Sequence, residues 1–288
     1  MAKIKIVTDS TADIPVEIRE SLGIKVLPIT IIDGDKEYKD GFDMTPQEFY
    51  EVLENAKEIP STSRVVPVLY GELYEECYKE GYTDVILTCL NSKGSSTMQG
   101  AIMSKDMFYE DYPDAKGKIN IHIIDSKTYT MAYGMAVIKA AEMVNDGASV
   151  DEILAEINNW IEKVKVLFIP MNLKFVKKSG RVSAASAFVG DALGLKPIIT
   201  FDDGDSKVIN KVRGDKKAIS TMIDMVIADR EEGTPYSIVY GTNMEAYEKL
   251  RETCAEKLDI PPTYEYLVGA VISINAGPNV VGIMYQTK

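Results

Sequence analysis

The sequence predicts an α/β protein of two domains, the first on a mostly parallel sheet and the second on an antiparallel or mixed sheet with helices. Three observations predict it. Short apolar, β-branched runs alternate with helical segments through the first half of the chain. The pattern changes after the helix that ends near residue 163, giving way to a hairpin and then to interleaved strands and helices. A chain of 288 residues is long enough for two compact domains of ordinary size. Residues 1–158 are assigned to the N-terminal domain and 159–288 to the C-terminal domain. No low-complexity linker marks the join, which predicts a tight interface of the kind where ligand sites often form.

The strands and helices can be placed along the chain. KIKIV (3–7), KVLPITII (25–32), DVILTCL (84–90) and NIHIID (120–125) read as strands, with helices between most of them. Thr45, Pro46 and Glu48 form a capping box with proline at the first helical position, and Ser149 with Glu152 forms another, opening a helix over about 150–163. KPIITF and KVINKV flank the turn FDDGDS at hairpin spacing, with Gly204 able to take positive φ. Helices over about 215–231 and 243–257 then alternate with SIVYGT, YLVGAVISI and GIMYQ, read as strands of the second sheet.

Composition narrows the function classes. Forty-four acidic against 32 basic residues give a net charge of -12, which repels phosphate backbones and anionic membrane surfaces, so nucleic acid is not an expected partner. Cys77, Cys89 and Cys254 are far apart and form no CxxC pair, which predicts neither disulfides nor zinc. The first residues lack a signal-peptide pattern, and no run approaches the ~18 apolar residues of a membrane span. A cytoplasmic protein without membrane insertion is expected.

Three hydroxyl-rich segments stand at strand ends or before helices. TDSTAD (8–13) comes after the first strand; Asp9 and Ser10 either cap the next turn or support a site at the sheet's carboxyl edge. STSRVVP (61–67) places Thr62 and Ser63 just before a helix whose early Pro67 suits its first turn. NSKGSSTMQGA (91–101) brings Ser92, Ser95 and Ser96 to another helix start, with Gly94 allowing close backbone approach. Hydroxyls beside free helix N–H groups are equipment for an anion, although such loops also occur without function. The segment is neither a P-loop nor a GxGxxG turn, which points to an anion smaller than a nucleotide.

Catalytic alternatives are weaker. His122 is the only histidine and sits at alternating strand spacing, as a core or edge residue would. Cys89 lies within an apolar strand, where an inert thiol is the simpler reading. In KFVKKSGRVSAASAFVGDALGLKPI (174–198), Arg181 either pairs with an anion or satisfies carbonyls after a helix end. The small-residue helix after it, with Gly190 and Gly194, leaves room for an elongated apolar ligand or a close-packed helix.

KIVTDSTADIP, the pair at Thr62 and Ser63, NSKGSSTMQGA, HIIDSKTYTMAYG, LKFVKKSGRVS, LGLKPIITFDDG and KVRGDKKAI occur in one order and spacing. In these segments, and along essentially its whole length, the sequence resembles the DegV proteins. The resemblance implies two α/β domains with a ligand tunnel between them, a bound long-chain fatty acid such as palmitate, no metal or redox cofactor, and no catalysis by the chain itself. Carried over by position, the carboxylate contacts fall on Thr62 and Ser95, with Ser63, Ser92 and Ser96 as neighbours. Asp9, Ser10, Arg181 and Asn275 fall in the supporting shell or head-group region.

In some members the bound acid is presented to a fatty-acid kinase, which makes an acyl phosphate; this is the alternative function, and a small-anion sensor is the second. SINAGPNVV departs from the family pattern, with Asn275 where a histidine is usual. NSKG likewise has Asn91 for a serine and Lys93 for a small residue. An asparagine cannot hold a positive charge beside a phosphate, so the departures bear on the kinase role and not on lipid binding.

Overall fold

The computed structural model describes residues 2–183 and 194–288. The small-residue helix expected around Gly190 lies outside the described residues. In chain order the first elements are β1 (Ile4–Asp9), a 3-10 turn (Ser10–Ala12), α1 (Val16–Ser21), β2 (Lys25–Leu27), β3 (Thr30–Asp33) and β4 (Lys36–Lys39). Next come α2 (Pro46–Asn55), β5 (Ser61–Ser63), α3 (Pro67–Lys79), β6 (Asp84–Cys89), α4 (Thr97–Asp111), β7 (Asn120–Asp125), α5 (Met131–Asn145) and α6 (Val150–Lys163). The remainder is β8 (Val164–Ile169), α7 (Leu173–Ser179), β9 (Leu195–Asp202), β10 (Asp205–Arg213), α8 (Asp215–Asp229), β11 (Tyr236–Tyr240), α9 (Met244–Lys257), β12 (Tyr264–Leu267), α10 (Ala270–Ala276) and β13 (Val281–Gln286).

The chain divides into two compact units: residues 1–32, 36–43 and 62–162, and residues 33–35, 44–61 and 163–288. The helix that spans residue 158 therefore stays almost wholly with the first unit, and the early segment 44–61 goes with the second.

In the first unit the main sheet runs β2-β1-β6-β7, and each neighbouring pair is parallel. Every residue of β6 is buried, which is why DVILTC reads as a continuous apolar run rather than an alternating one. A smaller sheet is ordered β4-β3-β5. The segment expected as one strand over 25–32 is thus two. Pro28 has no N–H to give a ladder, so β2 ends before it beside β1 and β3 resumes in the other sheet.

The second unit has a mixed sheet ordered β10-β9-β8-β13-β11-β12. All its described pairs are antiparallel except β11 with β12. The hairpin of β9 and β10 turns at Asp203 and Gly204, both at positive φ. The core of this unit joins Leu167, Ile198, Met222, Ile238, Leu250 and Ile283 from the sheet and from α8 and α9.

YLVGAVISI is only partly a strand. It splits into β12 and helix α10, whose buried Ala270, Val271 and Ile274 lie on one helical face. A short apolar run does not distinguish helix from strand by periodicity alone, and Gly269 provides the break. Both capping boxes form: Thr45 Oγ1 accepts from Glu48 N at 3.3 Å while Glu48 Oε2 accepts from Thr45 N at 2.7 Å. Ser149 and Glu152 repeat the pattern at 3.3 and 2.8 Å.

Gly241 stands just after β11, where two backbones cross. A Cβ there would stand 1.7 Å from the Pro278 carbonyl oxygen, the same atom that accepts from Thr242 N at 2.6 Å. Gly241→Ala should therefore cost about 1–3 kcal/mol of stability, measurable as a lowered urea midpoint at unchanged slope; an unchanged midpoint would refute the crossing.

Candidate functional site

The parallel sheet of the first unit is built outward in two directions. From β1 the chain adds β2 on one side, then returns to add β6 and β7 on the other. β1 and β6 therefore flank the switch point, where open α/β sheets leave a crevice outside their carboxyl ends. At those carboxyl ends stand Asp9, the last residue of β1, with Ser10, and Asn91–Ser96 beyond β6.

Asp9 is fully buried. Its Oδ1 accepts from Thr11 N at 3.1 Å and Tyr133 O–H at 2.7 Å, as well as from the Thr11 hydroxyl, and its Oδ2 accepts from Leu90 N at 2.8 Å. Burial pushes its carboxyl above the ordinary range, and hydrogen bonds from Thr11, Tyr133 and Leu90 pull it back. Asp9 ties the ends of β1 and β6 to α5. Ser10 is also occupied, its Oγ accepting from Ile29 N at 3.0 Å.

The loop after β6 is held at several points. Ser92 N donates to Asp125 Oδ1 at 3.0 Å, and the Ser92 hydroxyl donates to the other oxygen of the same carboxylate. Ser92 is thus committed to the end of β7. Ser95 Oγ accepts from Thr97 N at 3.2 Å and donates to Thr97 Oγ1 at 2.9 Å. Its proton sits on a rotor that an arriving anion can claim. Ser96 occupies the N-cap of α4 without bonding a first-turn amide, so the side chain that meets the positive end of that helix is Ser95, through Thr97 N.

Thr62, on β5, is half-buried and Ser63 is exposed. The N-cap of α3, Val66, likewise provides no side-chain cap. α3 and α4 pack together: Ser104 Oγ donates to Pro67 O at 2.9 Å, and a Cβ on Gly100 would stand 3.9 Å from Val65 O. This packing sets the start of α3 against the first half of α4.

Arg181 and Asn275 belong to the second unit, where they meet around Ser179. Ser179 Oγ donates to Asn275 O at 3.2 Å, and Arg181 Nη1 donates to Ser179 O at 2.8 Å. Arg181 thus satisfies a carbonyl at the end of α7. The Asn275 amide donates back to Val271 O in its own helix at 2.7 Å. Of the catalytic alternatives, Cys89 is wholly buried, and burial pushes its thiol well above the ordinary range. His122 lies on the edge strand β7 with Nε2 at 3.0 Å from Asp84 Oδ1. Burial opposes ionisation of Asp84, but hydrogen bonds from His122, Thr83 and Asn120 hold its carboxyl below the usual range.

Residues 3–288 match the family model described as an uncharacterised protein of the DegV family. The chain belongs to the DegV family. A DegV domain-containing protein of Caldanaerobacter subterraneus subsp. tengcongensis is 36% identical over 295 residues, covering 100% of each chain. Among solved structures, the DegV family protein from Thermus thermophilus, described by its fatty acid binding, aligns with a TM-score of 0.87 at 29% identity, over 99% of this chain and 100% of that one. The stearic acid-binding protein of Eubacterium ventriosum aligns at 0.86 with 25% identity, over 100% and 99%. The α/β class read from the sequence is the DegV fold. Among the described residues no helix is long and apolar enough to cross a membrane.

Reading the residues by chemistry alone passed over Asp125, Tyr129 and Tyr133, which bond Ser92, Asn91 and Asp9 respectively. The legible signal was an acid succeeded by Ser, Thr and Tyr at the carboxyl end of β7. The positive φ of Lys127 and Thr130 in that turn leaves no trace in residue type.

Proposed function

We propose that this protein binds one long-chain fatty acid and carries it without chemically altering it. The observation that carries the reading is the full-length likeness to the fatty-acid-binding Thermus protein. Thr62 and Ser95 hold the carboxylate, with Ser63 and Ser96 beside them and the N-termini of α3 and α4 supplying partial positive charge. The acyl chain occupies a buried apolar tunnel. Burying ~14 methylenes at ~0.8 kcal/mol each supplies ~11 kcal/mol of gross driving force before ordering costs. The tail gives affinity and the head group gives orientation.

A carboxylate taken from water must be given replacement donors or it costs several kcal/mol. Hydroxyls and helix amides fill that role without a countercharge. The amide of Asn275, bonded within its own helix, gives no cation to a phosphate. This favours a carrier over the presenting subunit of a fatty-acid kinase.

Solvent extraction of gently purified protein, with mass spectrometry of the extract, should recover close to one fatty acid per chain. Material that is lipid-free and stays so after incubation with palmitate would sink the proposal.

A further inference from the structure

The pairing of β6 with β7 ends at Cys89 and Asp125, but the two segments remain joined beyond it. Ser126 N donates to Cys89 O, and Asn91 N donates to Thr128 O, both at 3.0 Å. The side chain of Tyr129 then closes over the loop, its hydroxyl accepting from Asn91 Nδ2 at 3.1 Å. Asn91 in turn shapes the backbone of the next three residues. Its Oδ1 accepts from Lys93 N at 3.1 Å and its carbonyl accepts from Gly94 N at 3.1 Å.

Gly94 lies directly against the ring. A Cβ there would stand 1.9 Å from the Tyr129 hydroxyl and 3.0 Å from Cζ. Gly94 is needed for this contact and not for a left-handed backbone, because only the absence of a side chain admits the ring. Lys127 and Thr130, on either side of the tyrosine, sit at φ 54° and 58°, a region costly for a β-branched residue.

The geometry points to Tyr129 as a positioning residue that sets carboxylate selectivity: through Asn91 and Gly94 it fixes the turn that delivers Ser95. The inference rests on Ser95 being a carboxylate contact. Tyr129 itself touches no ligand in this scheme. It acts by holding the Asn91 amide, and the head group alone feels its loss. The tail does not.

The test compares palmitate with 1-hexadecanol, which has the same tail and a neutral head, in wild-type protein and in Ser95→Ala, Tyr129→Phe, Gly94→Ala and the Gly94→Ala/Tyr129→Phe double variant. The ratio of the two affinities and the carboxyl carbon shift of [1-13C]palmitate are read together. Tyr129→Phe should lower the acid-over-alcohol ratio about three- to ten-fold, the worth of one hydrogen bond, with hexadecanol affinity unchanged. The carboxyl shift should move in the direction that Ser95→Ala moves it.

Gly94→Ala pushes the ring away and breaks the same link, so it should give a similar loss, and the double variant should be no worse than the larger single. Ser95→Ala lowering the ratio while Tyr129→Phe and Gly94→Ala leave it at the wild-type value would overturn the positioning role alone. An equal loss for acid and alcohol in Tyr129→Phe would do the same. An unchanged ratio in Ser95→Ala would instead remove the carboxylate reading on which the inference stands.

Discussion

Replacing Thr62 and Ser95 together by alanine should weaken palmitate binding by about 10²–10⁴-fold with little change in thermal stability. Each hydroxyl gives the carboxylate a hydrogen bond to a charged group, worth ~1.5–3 kcal/mol, so two amount to ~3–6 kcal/mol at ~1.4 kcal/mol per decade. The fold does not depend on either side chain. Thr62 lies half-buried on the short β5, and the only described partners of Ser95 are Thr97 atoms two residues away. Titration calorimetry against palmitate and against 1-hexadecanol separates the two halves of the ligand. The alcohol should keep most of its affinity. A double variant that binds palmitate as tightly as wild type would place the head group elsewhere.

Asp9→Ala should act on stability rather than on affinity. It strips acceptors from Leu90 N and Thr11 N and from the Tyr133 hydroxyl, in a place where water has no access. Two buried N–H groups left unpaired at ~1–3 kcal/mol each give an expected loss of about 2–6 kcal/mol. Denaturant unfolding measures the total. Faster hydrogen exchange at Leu90 would locate it.

Asp9→Asn adds a pH signature. Burial raises the carboxyl in the folded state, so the part of stability tied to its titration is fully present below the unfolded value. That part is lost as pH rises through the folded one. The asparagine variant lacks this titration. The wild type's advantage over it should shrink as pH climbs out of the ordinary carboxylate range, and a gap that widened would contradict the assignment.

Much of the fold was legible because its signals are local and repeated. β1, β6 and β7 announced themselves as apolar runs, and both capping boxes formed where Thr45 and Ser149 stood three residues before a glutamate. Segments whose state depends on distant partners were not. Pro28 cut one run into strands of two different sheets, and AVISINA became a helix because that conformation buries Ala270, Val271 and Ile274 together. The hydroxyl loops were visible for a similar reason to the strands, since Ser and Thr before a helix carry their own chemistry. Their wiring was hidden. That Asp125 accepts from Ser92 N and Asp9 from Leu90 N are facts of groups 33 and 81 residues apart, which no window along the chain contains.

The assignment of residues 44–61 to the second unit bears on how the protein is made. α2 leaves the ribosome early, yet the group it bonds comes near the end of the chain: Tyr50 O–H donates to Val268 O at 2.6 Å, 218 residues later. Phe49, Tyr50 and Leu53 are buried in the finished molecule, in a unit whose remaining residues begin at 163. The early helix thus precedes most of the unit it belongs to, so no single cut in the gene separates the two units.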